Sequence, residues 1–107
     1  MRFEWDEEKN RANIRKHRVS FDTAKIVFED PRQLSIQDRY EGGEERWQTI
    51  GLVRGTRLID PNRPARLGVE ILLVAHTWRE EEGQDVIRII SARKAAPAEQ
   101  RRYHEAI

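Results

Sequence analysis

The residues of this chain that could do chemistry are mostly cations, and they concentrate near its C-terminus. Six basic residues, one tyrosine and one histidine lie there: Arg79, Arg88, Arg93, Lys94, Arg101, Arg102, Tyr103 and His104. A guanidinium stabilises negative charge that develops on a phosphate, and an imidazole transfers protons near neutral pH. Because RNA supplies its own nucleophile, the 2′-hydroxyl, such residues could cleave RNA without a metal ion or cofactor. Trp47, Trp78 or Tyr103 could stack an unpaired base.

Other catalytic arrangements find no support in the sequence. It contains no nucleophile elbow, no phosphate-binding glycine loop and no His-Glu-x-x-His motif. The three histidines, His17, His76 and His104, lie far apart and lack the spacing of metal ligands, so we expect no metal site. The absence of cysteine excludes disulfides and thiolate metal sites.

Each of these residues also has a purely structural interpretation. Arg79 and Arg88 could pair across a hairpin with Glu80 or Asp85, and surface pairs of this kind are common and weak. The net charge is only +1, although 16 of the 20 basic residues are arginines. Arginine suits phosphate recognition, but a GC-rich genome would explain the same bias. No single residue therefore favours nucleic acid over other ligands, but the residues taken together do.

The strand that must carry several of these cations is the clearest in the sequence and runs from Asp85 to Lys94. Its β-branched residues suit a pleated, half-buried surface. Because side chains alternate between the two faces of a strand, a regular strand would place Arg88 and Arg93 on opposite faces. Both could line one site only if the sheet twists or bulges between them.

The remaining elements predict an α+β fold. Strands are predicted over residues 2–5, 33–39, 46–54 and 70–79, and helices over 7–17, 21–28 and 98–107. Asp6 and Ser20 are suitable N-caps for the first two helices, and Asp30-Pro31 ends the second. Turns over 40–45 and 80–84 would give a mainly antiparallel meander. Residues 55–68, rich in proline, glycine and arginine, are predicted to form a long loop, either functional or a tolerated insertion.

The length of 107 residues suits one domain, residues 1–107, with a modest core. No apolar run is long enough to span a membrane, and the N-terminus lacks the apolar segment of a signal peptide. We therefore expect a soluble, cytoplasmic protein with no membrane partner.

Several motifs along the chain resemble those of the BrnT family, the ribonuclease toxins of type II toxin–antitoxin pairs. The opening Phe3-Glu4-Trp5-Asp6, with Lys9 and Asn13, is followed by Arg15-Lys-His-Arg-Val-Ser-Phe21. Two later signatures are Glu45-Arg46 with Ile50-Gly51, and Arg88-Ile-Ile-Ser-Ala-Arg93-Lys94-Ala95. The trailing Glu99-Gln-Arg-Arg-Tyr103 is similar to the end of the family, so the resemblance spans nearly the whole chain.

The resemblance implies a RelE-like α+β fold, with a curved, mainly antiparallel sheet, two N-terminal helices and a short C-terminal helix. It implies an endoribonuclease of the mRNA interferase type, which needs no metal or cofactor, uses the 2′-hydroxyl and inhibits translation. The implied partner is a BrnA-like ribbon-helix-helix antitoxin, in a 2:2 heterotetramer. The complex would repress its own operon, and operator DNA would be bound only through the antitoxin.

The same resemblance implies a set of site residues. The candidate catalytic residues are His17, Arg79, Arg93 and Tyr103. Arg79 and Arg93 would stabilise charge in the transition state, His17 would transfer a proton, and Tyr103 would stack or orient a base. The candidate RNA-binding residues, which would hold phosphates, are Arg88, Lys94 and Arg101. Residues 55–68 depart from the family pattern, which usually has a shorter turn there.

Two other functions stay open at this point. The near-neutral charge and the lack of a recognisable catalytic triad are also compatible with a non-catalytic module that binds nucleic acid or protein. A purely structural partner protein would show neither RNA affinity nor toxicity. RNA cleavage would separate the ribonuclease from both alternatives.

Overall fold

The computed structural model of the protein describes residues 1–54 and 68–106. The strands are β1 (Arg2–Glu4), β2 (Leu34–Glu41), β3 (Glu44–Arg54), β4 (Val69–Glu81) and β5 (Gln84–Lys94). The helices are α1 (Glu7–His17), α2 (Phe21–Ala24), which continues into a 3₁₀ segment (Lys25–Glu29), and α3 (Pro97–Glu105). The predicted α+β class is confirmed. The predicted loop over 55–68 lies outside the described residues, except for Gly68.

The strands form one open sheet in the order β1-β5-β4-β3-β2. β2 to β5 follow one another as antiparallel neighbours, which confirms the predicted meander. β1 lies parallel to β5, so the complete sheet is mixed. Because β1 and β2 occupy opposite edges, the helices that connect them must cross one face of the sheet. Within the described residues, no helix is long and apolar enough to span a membrane.

The two faces of the sheet are covered differently. α1, α2 and the 3₁₀ segment cover one side, the helix face, over a core that includes Phe21, Val27, Leu72 and Ile87. The other side, the open face, is covered by α3 at one end, where the buried residues are Ile50, Ile71, Leu73, Ala95 and Tyr103. Among the described elements, no other helix packs on the open face. The described helices therefore cover this face at one end only.

A β-bulge in β5 decides which residues share the open face. Ala75 lies opposite Ser91 but His76 lies opposite Ile89, so Ile90 is an extra residue in β5. An extra residue reverses the alternation beyond it. Leu73 of the open face pairs with Arg93, and Thr77, also an odd-numbered residue of β4, pairs with Arg88. The sequence predicts that Arg88 and Arg93 can line one site only if the sheet twists or bulges between them, and this bulge returns both to the open face.

Both described hairpin turns are tighter than the sequence suggested. Only Gly42 and Gly43 separate β2 from β3, and only Glu82 and Gly83 separate β4 from β5. All four residues have positive φ, between 51° and 80°, as type I′ turns require. The turns predicted over 40–45 and 80–84 are too long, because the flanking glutamates continue the strands as cross-strand pairs.

Helix α1 is fixed to the sheet by asparagines, since its buried residues are Asn10 and Asn13. The Asn13 amide donates to the carbonyls of Val19 and Ala92, at 2.8 Å each, and its oxygen accepts from the backbone N–H of Ala92 at 3.1 Å. The Asn10 oxygen accepts from the backbone N–H of Phe21 at 2.8 Å. These bonds attach a helix with little apolar surface to β5 and to the start of α2.

Candidate functional site

A row of polar residues crosses the open face at right angles to the strands. Arg46 of β3 pairs with Thr77 of β4, and Thr77 pairs with Arg88 of β5. On the other side of Arg46, Arg39 of β2 completes this cross-sheet row. Neighbouring strands lie about 4.8 Å apart, so the row places three guanidiniums within a short distance of one another. An anionic ligand on the open face would meet these groups together.

Glu44, the first residue of β3, lies between two members of the row. Its carboxylate accepts a hydrogen bond of 2.6 Å from Arg88 Nη2 and lies 4.0 Å from Arg46 Nη2. Within the described residues, the buried Nε of Arg46 and the buried hydroxyl of Thr77 have no hydrogen-bond partner. Buried polar groups are normally paired, so these two atoms stand out.

Arg93 lies at the end of the open face, next to α3. Its two Nη atoms donate to the Glu99 carboxylate at 2.8 and 2.9 Å. This bidentate bond raises the pKa of Arg93 and lowers the pKa of Glu99, so both groups remain charged. Glu99 also accepts from the backbone N–H of Ala96 at 2.7 Å, at the start of α3. The guanidinium is therefore held in a fixed position.

His17 is the last residue of α1 and is half-buried. Asn13, one helical turn earlier, bonds to the backbone of Ala92, so α1 ends over the helix face near the end of β5, whereas Arg93 points to the open face. Burial, and then the charges of Lys16 and Arg93, lower the pKa of His17 below its ordinary value. The imidazole is therefore neutral near pH 7 and could accept a proton.

Arg79 lies on the open face but far from Arg93. Its partner in β5 is Val86, seven residues before Arg93, which corresponds to roughly 20 Å at about 3.3 Å per residue. Arg79 forms ion pairs with Glu4, at 2.7 Å, and with Glu81. Hydrogen bonds that Arg79 donates to these carboxylates raise its pKa. Arg79 and Arg93 therefore cannot contact the same phosphate.

Tyr103 is only 5% exposed and anchors α3. Its hydroxyl donates to Asp30 at 2.5 Å, and burial together with this bond raises the pKa of Tyr103 to about 12. Burial opposes ionisation of Asp30, but hydrogen bonds from Tyr103 and from the backbone of Arg32 and Leu52 outweigh it and lower the pKa. The buried ring offers little surface on which a base could stack.

The other predicted RNA-binding residues occupy different places. Lys94 pairs with Leu72 of the helix face, and its ammonium lies 3.5 Å from Glu70. Arg101 is exposed on α3. Arg88 and Arg93 are therefore brought onto one face, whereas Lys94 points to the other side, the side on which α1 carries His17.

Trp47 and Trp78 pack edge to face with their centroids 5.7 Å apart, beside the buried His76. Since His76 also contacts Phe28 of the 3₁₀ segment, this aromatic group belongs to the helix face. In the described part of the chain, no three His, Cys, Asp or Glu side chains form a group that could hold a metal ion.

Sequence reasoning missed Glu44, Arg46 and Thr77 as site residues. The turn at Glu82-Gly83 could have revealed that Thr77 lies opposite Arg88, since a two-residue turn fixes the register of its hairpin. No such signal exists for Arg46 and Thr77, because residues 55–67 separate β3 from β4 and no short turn sets their register.

Comparison with known proteins identifies the family. No curated protein matches the sequence. The family model for the ribonuclease toxin BrnT of type II toxin–antitoxin systems matches residues 5–59, which is just over half of the 107-residue chain. The matched residues cover α1, α2, β2 and β3, and they include Glu44 and Arg46 of the open face. The chain belongs to the BrnT family of ribonuclease toxins of type II toxin–antitoxin systems.

Proposed function

We propose that this protein is an endoribonuclease of the mRNA interferase type, which cleaves RNA on the open face without a metal ion and thereby inhibits translation. The observation that carries the proposal is the set of guanidiniums that the bulge at Ile90 brings to the open face, which the described helices cover at one end only. Membership of a ribonuclease toxin family gives RNA as the substrate class. We further propose that the fold is RelE-like, that residues 1–107 form one domain, and that the protein acts in the cytoplasm.

The proposed reaction uses the 2′-hydroxyl of RNA as the nucleophile. The 2′-oxygen attacks the neighbouring phosphorus, the bond to the 5′-oxygen breaks, and the products are a 2′,3′-cyclic phosphate and a 5′-hydroxyl. His17 would reach the phosphate around the edge of β5, which beyond Arg88 has no neighbouring strand on that side among the described residues. Its neutral imidazole accepts the proton of the 2′-hydroxyl, and a proton from water or a protonated imidazole goes to the 5′-oxygen. Arg93 neutralises the charge that develops on the phosphoryl oxygens. Its bonds to Glu99 and Lys94 use both N–H groups of Nη1 and one of Nη2, which leaves Nε–H and the second N–H of Nη2 for a phosphate.

The other site residues have supporting roles in this proposal. Tyr103 acts as a positioning residue, because it anchors α3 and α3 carries Glu99, which orients Arg93. Arg79 and Arg101 bind phosphates away from the cleaved bond. Lys94 contributes long-range charge only, since it points to the helix face.

A protein antitoxin follows from membership of a type II toxin–antitoxin family. We propose that it is BrnA-like, that its ribbon-helix-helix portion binds operator DNA, and that a 2:2 heterotetramer represses the operon. The toxin chain, with a net charge of +1, would reach DNA only through this partner.

The test is cleavage of single-stranded RNA by the purified protein in the presence of a metal chelator. Arg93→Ala and His17→Ala should each lower the cleavage rate about 100-fold, in line with the loss of a charge-stabilising or proton-transferring group. Arg11→Ala, on the exposed surface of α1, should keep the full rate. Thermal unfolding of each variant checks that it is folded. Full activity in both folded site variants would refute these roles, and RNA binding without cleavage would favour the non-catalytic module.

A further inference from the structure

The open face contains a small group of donors that lack an acceptor. The hydroxyl of Thr77, a residue only 5% exposed, and the Nε of Arg46 are both buried and have no partner within the described residues. The two residues are directly paired across β3 and β4. Leaving a buried donor unpaired is unfavourable, so the pair is suited to an acceptor supplied by a ligand.

An anion already lies beside these donors. The Glu44 carboxylate bonds to Arg88 at 2.6 Å and approaches Arg46 to 4.0 Å. Glu44 directly follows the turn residues Gly42 and Gly43, and its side chain is 46% exposed. A half-exposed carboxylate next to a turn can leave its ion pair at little cost, because exposed pairs of this kind are weak.

We propose that Arg46, Thr77 and Arg88 form a binding site for one backbone phosphodiester of RNA, and that Glu44 occupies this site as an internal competitor until RNA displaces it. The inference rests on the proposed function, since that function makes RNA the ligand. A phosphate between the two guanidiniums would replace the Glu44 carboxylate and accept from Thr77 and from Arg46 Nε. Two guanidiniums suit the charge and the several acceptor oxygens of a phosphate.

The experiment measures binding of a fully 2′-O-methylated oligoribonucleotide, which cannot be cleaved through a 2′-hydroxyl, to the full-length protein at fixed salt. Glu44→Gln should tighten binding about fivefold, because it removes the competitor and keeps the side-chain shape. Glu8→Gln is the control: Glu8 is exposed on α1, away from the cross-sheet row. It makes the same change in net charge and should alter affinity less than twofold.

Two further variants test the residues that would donate to the phosphate. Arg88→Ala should weaken binding, reduce the dependence of log affinity on log salt by about 0.7, and abolish the gain from Glu44→Gln in the double variant. Thr77→Val should weaken binding about threefold, because the phosphate loses one neutral donor.

The outcomes separate this site from the proposed function. Equal effects of Glu44→Gln and Glu8→Gln on binding, with RNA cleavage by the wild-type protein, would overturn the phosphate site alone. Tighter binding by Glu44→Gln in a protein that never cleaves RNA would support the phosphate site and overturn the proposed reaction. A wild-type protein that neither binds nor cleaves RNA would overturn both.

Discussion

At the scale of single residues, three guanidiniums of the open face are each held by a carboxylate from another element. The pairs are Arg79 with Glu4, Arg88 with Glu44, and Arg93 with Glu99. These pairs explain how a chain with a net charge of only +1 can present a cationic surface. An RNA phosphate must share or displace such a carboxylate. Each ion pair therefore affects the affinity for RNA as well as the position of the guanidinium.

The buried His76 makes stability depend on pH. Its imidazole is bonded to Thr49 and to the Thr77 carbonyl, and burial lowers its pKa to about 4. In the unfolded chain its pKa is about 6.5, so acid protonates the unfolded state first. The free energy of unfolding should therefore fall as pH falls through this range, by about 2 kcal/mol between pH 7.5 and pH 5. Urea unfolding at the two pH values measures the difference.

His76→Gln serves as the control for this pH effect, because glutamine can still bond to Thr49 but does not titrate. The variant should lose most of the pH dependence between pH 7.5 and pH 5. His17, whose pKa is also lowered, contributes with the same sign and remains in the variant. An unchanged pH dependence in His76→Gln would show that another group is responsible.

At the scale of elements, α1 depends on one asparagine. Asn13→Ala removes three hydrogen bonds and leaves Ala92 N–H, Ala92 C=O and Val19 C=O without this partner. Each group buried without a partner costs on the order of 1 kcal/mol, so the free energy of unfolding should fall by about 3 kcal/mol. Arg15→Ala, at an exposed position of the same helix, should change it by less than about 0.5 kcal/mol. Equal effects of the two substitutions in urea unfolding would contradict this view of α1.

The 3₁₀ segment packs against β3 at Gly51. A Cβ at this position would lie 2.6 Å from Val27 Cγ1 and 3.0 Å from the Val27 carbonyl oxygen. Gly51→Ala should therefore lower the free energy of unfolding by about 2 kcal/mol, the usual effect of overpacking. Gly68→Ala meets nothing within 4 Å and is the matched control. A Gly51→Ala protein as stable as the control would mean that the 3₁₀ segment can move aside.

The elements differ in how far the sequence predicts them. Caps at Asp6 and Ser20, alternation in β3, the apolar run of β4 and the β-branched residues of β5 identify these helices and strands, because these signals are local. The bulge at Ile90 and the register of β3 against β4 arise from packing between distant segments, so no local pattern predicts them. For that reason the sequence identifies Arg93 and His17 as candidates but not the pairing of Arg46, Thr77 and Arg88.

At the scale of the whole molecule, the residues that stabilise the fold and the residues of the proposed site lie mainly on opposite faces of the sheet. The helix face contains the main core, whereas the open face holds most of the paired cations and is covered by α3 at one end. Substitutions on the open face outside the α3 contact should therefore alter RNA binding more than stability. The bidentate Arg93–Glu99 bond affects both stability and RNA binding, because it fixes a candidate catalytic group and the start of α3 together.

The most direct test of the central claim is cleavage of two RNAs of the same sequence, one unmodified and one fully 2′-O-methylated, by the purified protein in a metal chelator. We predict that the unmodified RNA is cut to products with 2′,3′-cyclic phosphate and 5′-hydroxyl ends, and that the methylated RNA binds but stays intact. Cleavage of both RNAs at similar rates, or of neither, would contradict a reaction that uses the 2′-hydroxyl of the substrate.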